Sequence, residues 1–145
     1  MSGDFECATG HPKTPALAGR VTIVARNRAA GLALLENAGQ PGDVLPFGAA
    51  LPADTALFFN ATSLGMTGRP PLPLDLTPLP AMATIFDAVY APLETPLLAA
   101  ARARGMPVID GLQMLVGQAA RAFEIFYGAA PPRHHDAELR GLLTP

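Results

Sequence analysis

Short apolar runs of four to six residues alternate with helix-patterned stretches along most of this chain. That alternation restricts the fold to α/β, a mostly parallel sheet with helices on both faces. Val21-Thr22-Ile23-Val24-Ala25 favours a strand without strict alternation, as expected where both faces are covered. Residues 29–38 read as a helix with Leu32 and Leu35 on its buried side and Gly39 as its stop. A weak strand is expected at 44–47 and a better one at 56–60. Five prolines between Pro70 and Pro80 exclude a central strand there and leave an extended loop. Residues 84–89 are the next strand. Thr95 can cap a helix whose first position, Pro96, has no amide hydrogen to leave unpaired. That helix runs to Gly105 and is followed by a strand at 107–110. A long helix over 112–127 carries the stripe Leu112, Leu115, Val116, Ala119, Phe123 and Phe126, with Gly128 as its end. A short helix is expected over 136–143.

The chain has 145 residues, enough for one domain, and half of them are apolar. Residues 1–19, with Pro12 and Pro15, read as a leader without clear structure, and the folded part as 20–145. Twelve acidic residues against ten basic ones give no basic patch for a nucleic-acid backbone. No stretch reaches the roughly 20 apolar residues that a bilayer requires. The one cysteine, Cys7, fits a reducing, cytoplasmic compartment. Neither a metal-ligand spacing nor a G-x-S-x-G elbow is present, so no metal and no hydrolytic triad is expected.

In such sheets the ligand lies beyond the carboxyl ends of the strands, which directs attention to residues 25–28, 60–66, 87–92 and 110–115. Arg26, Asn27 and Arg28 occupy the turn after the first strand. An acid at that position would accept from the 2′-hydroxyl of NAD, whereas arginine accommodates a 2′-phosphate, and no acid is there. Solvent-facing arginines are the plainer alternative. Asn60-Ala61-Thr62-Ser63-Leu64-Gly65-Met66 offers polar side chains and a glycine that permits close approach, or else a local Asx or Ser/Thr turn. Gln118 follows Gly117, which costs a helix about 1 kcal/mol unless something must come near. It is either a ligand contact or an ordinary surface residue.

Taken together, Asn60–Met66 (NATSLGM), residues 87–98 (DAVYAPLETPLL) and residues 110–118 (DGLQMLVGQ) resemble the C-terminal, NADP-binding half of shikimate dehydrogenase, over about Arg20 to Leu143. Quinate dehydrogenases carry similar motifs. The resemblance implies an NADP-dependent oxidoreductase of the shikimate pathway, or a fragment of one, interconverting 3-dehydroshikimate and shikimate. It places Arg26, Asn27, Arg28, Asn60, Ala61, Thr62, Ser63, Gly65 and Met66 at the cofactor, and Gly111, Met114 and Leu115 near the nicotinamide. Tyr90 and Gln118 fall on the substrate side. Asn27-Arg28-Ala29 keeps two residues of the family's Asn-Arg-Thr motif and loses the threonine hydroxyl.

The family's acid–base lysine and aspartate belong to a preceding domain, and the only lysine here is Lys13. No G-x-G-x-x-G or Gly-Ala-Gly-Gly turn occurs, so the usual first strand and its pyrophosphate loop are expected to be missing. The strands at Val21 and Leu57 would then lack the neighbour that separates them. A complementing N-terminal domain or self-association would cover the exposed edges. The chain alone is expected to be inactive, with no catalytic residue of its own. A non-catalytic module that binds NADP or a protein is the alternative class.

Overall fold

The chain is described from a computed structural model that covers residues 19–143. The leader through residue 18, with Cys7, His11 and Lys13, lies outside the described residues. Two units divide between Ala49 and Ala50.

The first unit contains β1 (Val21–Val24), α1 (Arg28–Ala38) and β2 (Gly42–Leu45). The strands pair in parallel, Val21 opposite Gly42 and Val24 opposite Leu45. Asn27 caps α1 by accepting from the Ala30 amide at 3.1 Å, and Gly39 ends it in the left-handed region at φ 61°. Two expectations need correction here. The second strand lies two residues earlier than 44–47, because Pro46 has no amide to continue a ladder. Leu32 is 40% exposed; the buried side of α1 is Gly31 and Leu35. These are one turn apart, whereas Leu32 points about 100° away from Gly31. A Cβ on Gly31 would stand 2.8 Å from a Val44 methyl, so helix and strand approach closely at that point.

The second unit contains β3 (Leu57–Asn60), β4 (Thr84–Asp87), α2 (Pro96–Ala103), β5 (Val108–Ile109), α3 (Gly111–Tyr127) and α4 (Asp136–Leu143), with a 3₁₀ turn at Arg133–His135. Its sheet is parallel in the order β3-β4-β5, Asn60 opposite Asp87 and Phe86 opposite Ile109. Central β4 carries the core: Ile85 is fully buried, as are Leu98 and Ala101 of α2. Burying each large aliphatic side chain is worth about 1.5–3 kcal/mol. Thr95 caps α2 from its side chain, with Pro96 in the first turn, as its sequence requires.

Both sheets are parallel and flanked by helices, the Rossmann-like α/β class. Among the described residues β1 pairs only with β2, and β3 only with β4. No second strand pairs with β3 among them, and Leu57 and Phe59 are exposed on one face of it. The expected stripe of α3 is covered only in part. Gly111, Leu112 and Ala120 are buried, but Phe126 is 82% exposed, so periodicity found the apolar face without finding what covers it. No described helix is long and apolar enough to cross a membrane.

Candidate functional site

Beyond the carboxyl ends of β3, β4 and β5, the chain turns at three buried polar residues, Asn60, Asp87 and Asp110. Buried polar groups persist only where hydrogen bonds replace water, and the side chain of each of these is hydrogen-bonded. The Asn60 amide donates to Asp87 Oδ1 at 2.9 Å and to the Leu64 carbonyl at 3.1 Å. Its carbonyl oxygen accepts from the Thr62 amide at 3.0 Å and the Thr62 hydroxyl at 2.7 Å. The loop at 60–66 is thereby wound around its own first side chain. Gly65 takes φ 90°, a conformation that suits glycine, and donates to the Pro70 carbonyl at 2.8 Å. A second tether joins the Thr67 amide to the Ala91 carbonyl at 2.9 Å.

The start of α3 reaches the same segment after β4. Gly111 donates to the Val89 carbonyl at 3.3 Å, and a Cβ there would lie 2.3 Å from the Ala88 carbonyl oxygen. Only glycine permits that crossing. Asp110 caps α3 by accepting from the Gln113 amide at 2.9 Å, and the Gln113 side chain accepts from the Asp110 amide, a capping box. Arg140 of α4 grips the same carboxylate with two nitrogens, at 3.1 and 2.5 Å.

Burial by itself would raise the Asp110 carboxyl. The hydrogen bonds and charge of Arg140 and the Gln113 amide outweigh it and hold the group below the usual carboxylate range. A folded-state value below the unfolded one adds stability above the unfolded value, about 3.9, and that stability disappears as pH falls through the folded value. Arg140→Met should therefore cost about 1–2 kcal/mol at pH 7, a figure reduced because the guanidinium is partly exposed. In paired urea titrations the cost should shrink as pH falls below the ordinary carboxylate value and through the lower, folded one. A difference independent of pH would show that the bridge is not its source.

The sequence-expected residues fall as follows. In the second unit, Ala61, Thr62, Ser63 and Met66 are exposed along the first loop and Gly65 is half-buried. Tyr90 is exposed between Val89 and Ala91, whose carbonyls accept from the Gly111 and Thr67 amides. Gly111, Met114, Leu115 and Gln118 stand at helical spacings of three, four and seven residues, and so share one side of α3. Gln118 is exposed. Tyr90 and Leu115 also border an open apolar depression of about 360 Å³ with Leu93, Leu112, Val116, Ala119 and Leu139. Gln118 does not line it. In the first unit, Arg26 and Arg28 are exposed on either side of Asn27, and no ion pair involves them among the described residues. The sequence places Asp87 at the head of the 87–98 motif without a role of its own, and Thr95 as a cap. An acid ending a fully covered strand was the signal that it joins a network.

Parallel strands flanked by helices, their carboxyl-end loops held in shape by buried polar residues, define the chain as Rossmann-like α/β in class. The family model for the Shikimate 5′-dehydrogenase C-terminal domain matches residues 111–137. The chain is 54% identical over 126 residues to the shikimate dehydrogenase (NADP(+)) of Sphingopyxis alaskensis, covering 87% of this chain and 46% of the relative. Shikimate 5-dehydrogenase from Thermus thermophilus, solved with NADP(H) and shikimate, superposes with a TM-score of 0.66 at 31% identity, over 85% of this chain and 46% of that one. Quinate dehydrogenase from Corynebacterium glutamicum, solved with NAD, gives a TM-score of 0.72 at 30% identity, over 83% and 45%. This chain is homologous to the shikimate and quinate dehydrogenase family. It spans about half the length of those relatives.

Proposed function

We propose that this chain supplies the cofactor side of an NADP-dependent shikimate dehydrogenase. The observation that carries this reading is the convergence of the 60–66 loop and the start of α3 on the segment after β4, where the sheet's carboxyl ends face outward. The residues fit a dinucleotide: a glycine-shaped loop with exposed Thr62 and Ser63, and a helix start that comes close to the backbone only because position 111 has no side chain. Bound NADP would supply the hydride acceptor or donor. The chain's own contribution is to bind and orient. Arg26 and Arg28 would take the 2′-phosphate, Asn27 would shape their turn, and the 60–66 loop with Gly111, Met114 and Leu115 would border the dinucleotide. Tyr90 and Gln118 would meet the substrate, with the Gln118 amide acting as a hydrogen-bonding group and not as an acid or base.

The preference for NADP over NAD rests on the absence of an acid beside Arg26 and Arg28. Replacing both with alanine should weaken NADP⁺ by about tenfold or more while NAD⁺ changes little, since charge-assisted bonds are worth roughly 1.5–3 kcal/mol each. Equilibrium titration of the chain with the two cofactors tests this. Equal losses would remove the reason for choosing NADP.

A further inference from the structure

We infer that Asp87 and Thr95 are positioning residues for the 60–66 loop, acting through the orientation of the Asn60 amide. Asp87 is wholly buried and accepts three hydrogen bonds: from Asn60 Nδ2 at 2.9 Å, the Val89 amide at 3.1 Å and the Thr95 hydroxyl at 2.7 Å. A carboxylate offers acceptors only, so the side of the Asn60 amide facing it must be the NH₂ group. The carbonyl oxygen of Asn60 is then turned toward Thr62, where it accepts from both the amide and the hydroxyl. The Thr62 hydroxyl, its proton committed, has a lone pair for the Leu64 amide at 3.1 Å. A flipped Asn60 would set oxygen against oxygen at Asp87 and two donors against each other at Thr62, and the order of the loop would be lost.

Thr95 fixes the other end. Its hydroxyl donates to Asp87 Oδ2 and accepts from the Leu98 amide at 3.3 Å, so the direction of the carboxylate is tied to the cap of α2. The Thr95 Cβ also lies 3.6 Å from where a Cβ on Gly65 would stand, directly beneath the loop's turn. Direction therefore passes along one chain of bonds, from the α2 cap through Asp87 and Asn60 to Thr62. Neither Asp87 nor Thr95 contacts the ligand in this account. That the loop they hold serves a cofactor rests on the reading above; that they hold it does not.

The test is hydrogen exchange, followed by NMR on the full chain, at the Thr62 amide and the Asn60 side-chain amide. The Ile85 amide, which donates to the Pro107 carbonyl at 2.8 Å within the sheet, is the reference. Asp87→Asn and Thr95→Val should each speed exchange at Thr62 by about tenfold, the loss of roughly one hydrogen bond, with Ile85 changing by less than about twofold. Thr95→Ser, which keeps the hydroxyl, should restore the original rate. Should Asp87→Asn fail to fold, the Thr95→Val and Thr95→Ser pair decides alone. Unchanged exchange at Thr62, or an equal rise at Ile85, would overturn the proposal and leave these residues as core filling. NADP⁺ affinity is measured on the same variants. A loosened loop with unaltered affinity would contradict the cofactor reading while sustaining the positioning role.

Discussion

Gly111→Ala should destabilise the second unit by roughly 3 kcal/mol or more, among the larger effects available to a single methyl group. The added carbon would stand 2.3 Å from the Ala88 carbonyl oxygen and 2.5 Å from that of Val89. Neither obstacle is a flexible side-chain end; both belong to the backbone that leaves β4. Relief requires α3 to retreat, which would weaken the 3.3 Å bond from the Gly111 amide to Val89 and shift the capping box at Asp110. Gly117 in the same helix is the matched control. A Cβ there meets nothing within 4 Å, so Gly117→Ala should stabilise by about 0.5–1 kcal/mol through helix propensity alone. At about 4–8 °C per kcal/mol for a unit of this size, thermal unfolding should move in opposite directions for the two variants. A Gly111→Ala protein as stable as the parent would mean that the crossing is not as close as described.

The parallel sheets and their helices were legible because strand and helix periods differ and because caps leave strong local marks. Thr95-Pro96, Gly39 and Gly128 each act where the sequence puts them. Leu32 is exposed against expectation, and the far end of the α3 stripe is uncovered, for a common reason. Periodicity reports which residues share a face, but burial depends on what lies opposite, and opposite α1 it is Gly31 that meets Val44. The loop motif was visible as a set of polar residues. Its internal wiring was not, because the partner of Asn60 is Asp87, 27 positions away and reached only once β3 and β4 pair in register.

The largest expected effect is a complete loss: the 145-residue chain alone should not turn over shikimate. Hydride transfer to or from an alcohol carbon needs a proton-transfer group held beside it, and such positioning accounts for about 7–11 kcal/mol of barrier lowering. The side chains at the strand ends do not supply that group. Asp87 is buried with three donors upon it, Asp110 is held by Arg140 and the α3 cap, and Asn60 is used up within its own loop. The resemblance assigns acid–base chemistry to a lysine and an aspartate of a preceding domain, and the one lysine in these 145 residues is Lys13. Nor does the sequence hold a glycine-rich turn for the pyrophosphate. The direct measurement is NADP-dependent oxidation of shikimate by the purified chain, freed of host dehydrogenase, with the Gln118→Leu variant run beside it. No rate above background is predicted for either protein. Sustained turnover that disappears in Gln118→Leu would contradict the account, because these residues would then form a whole active site and not its cofactor side.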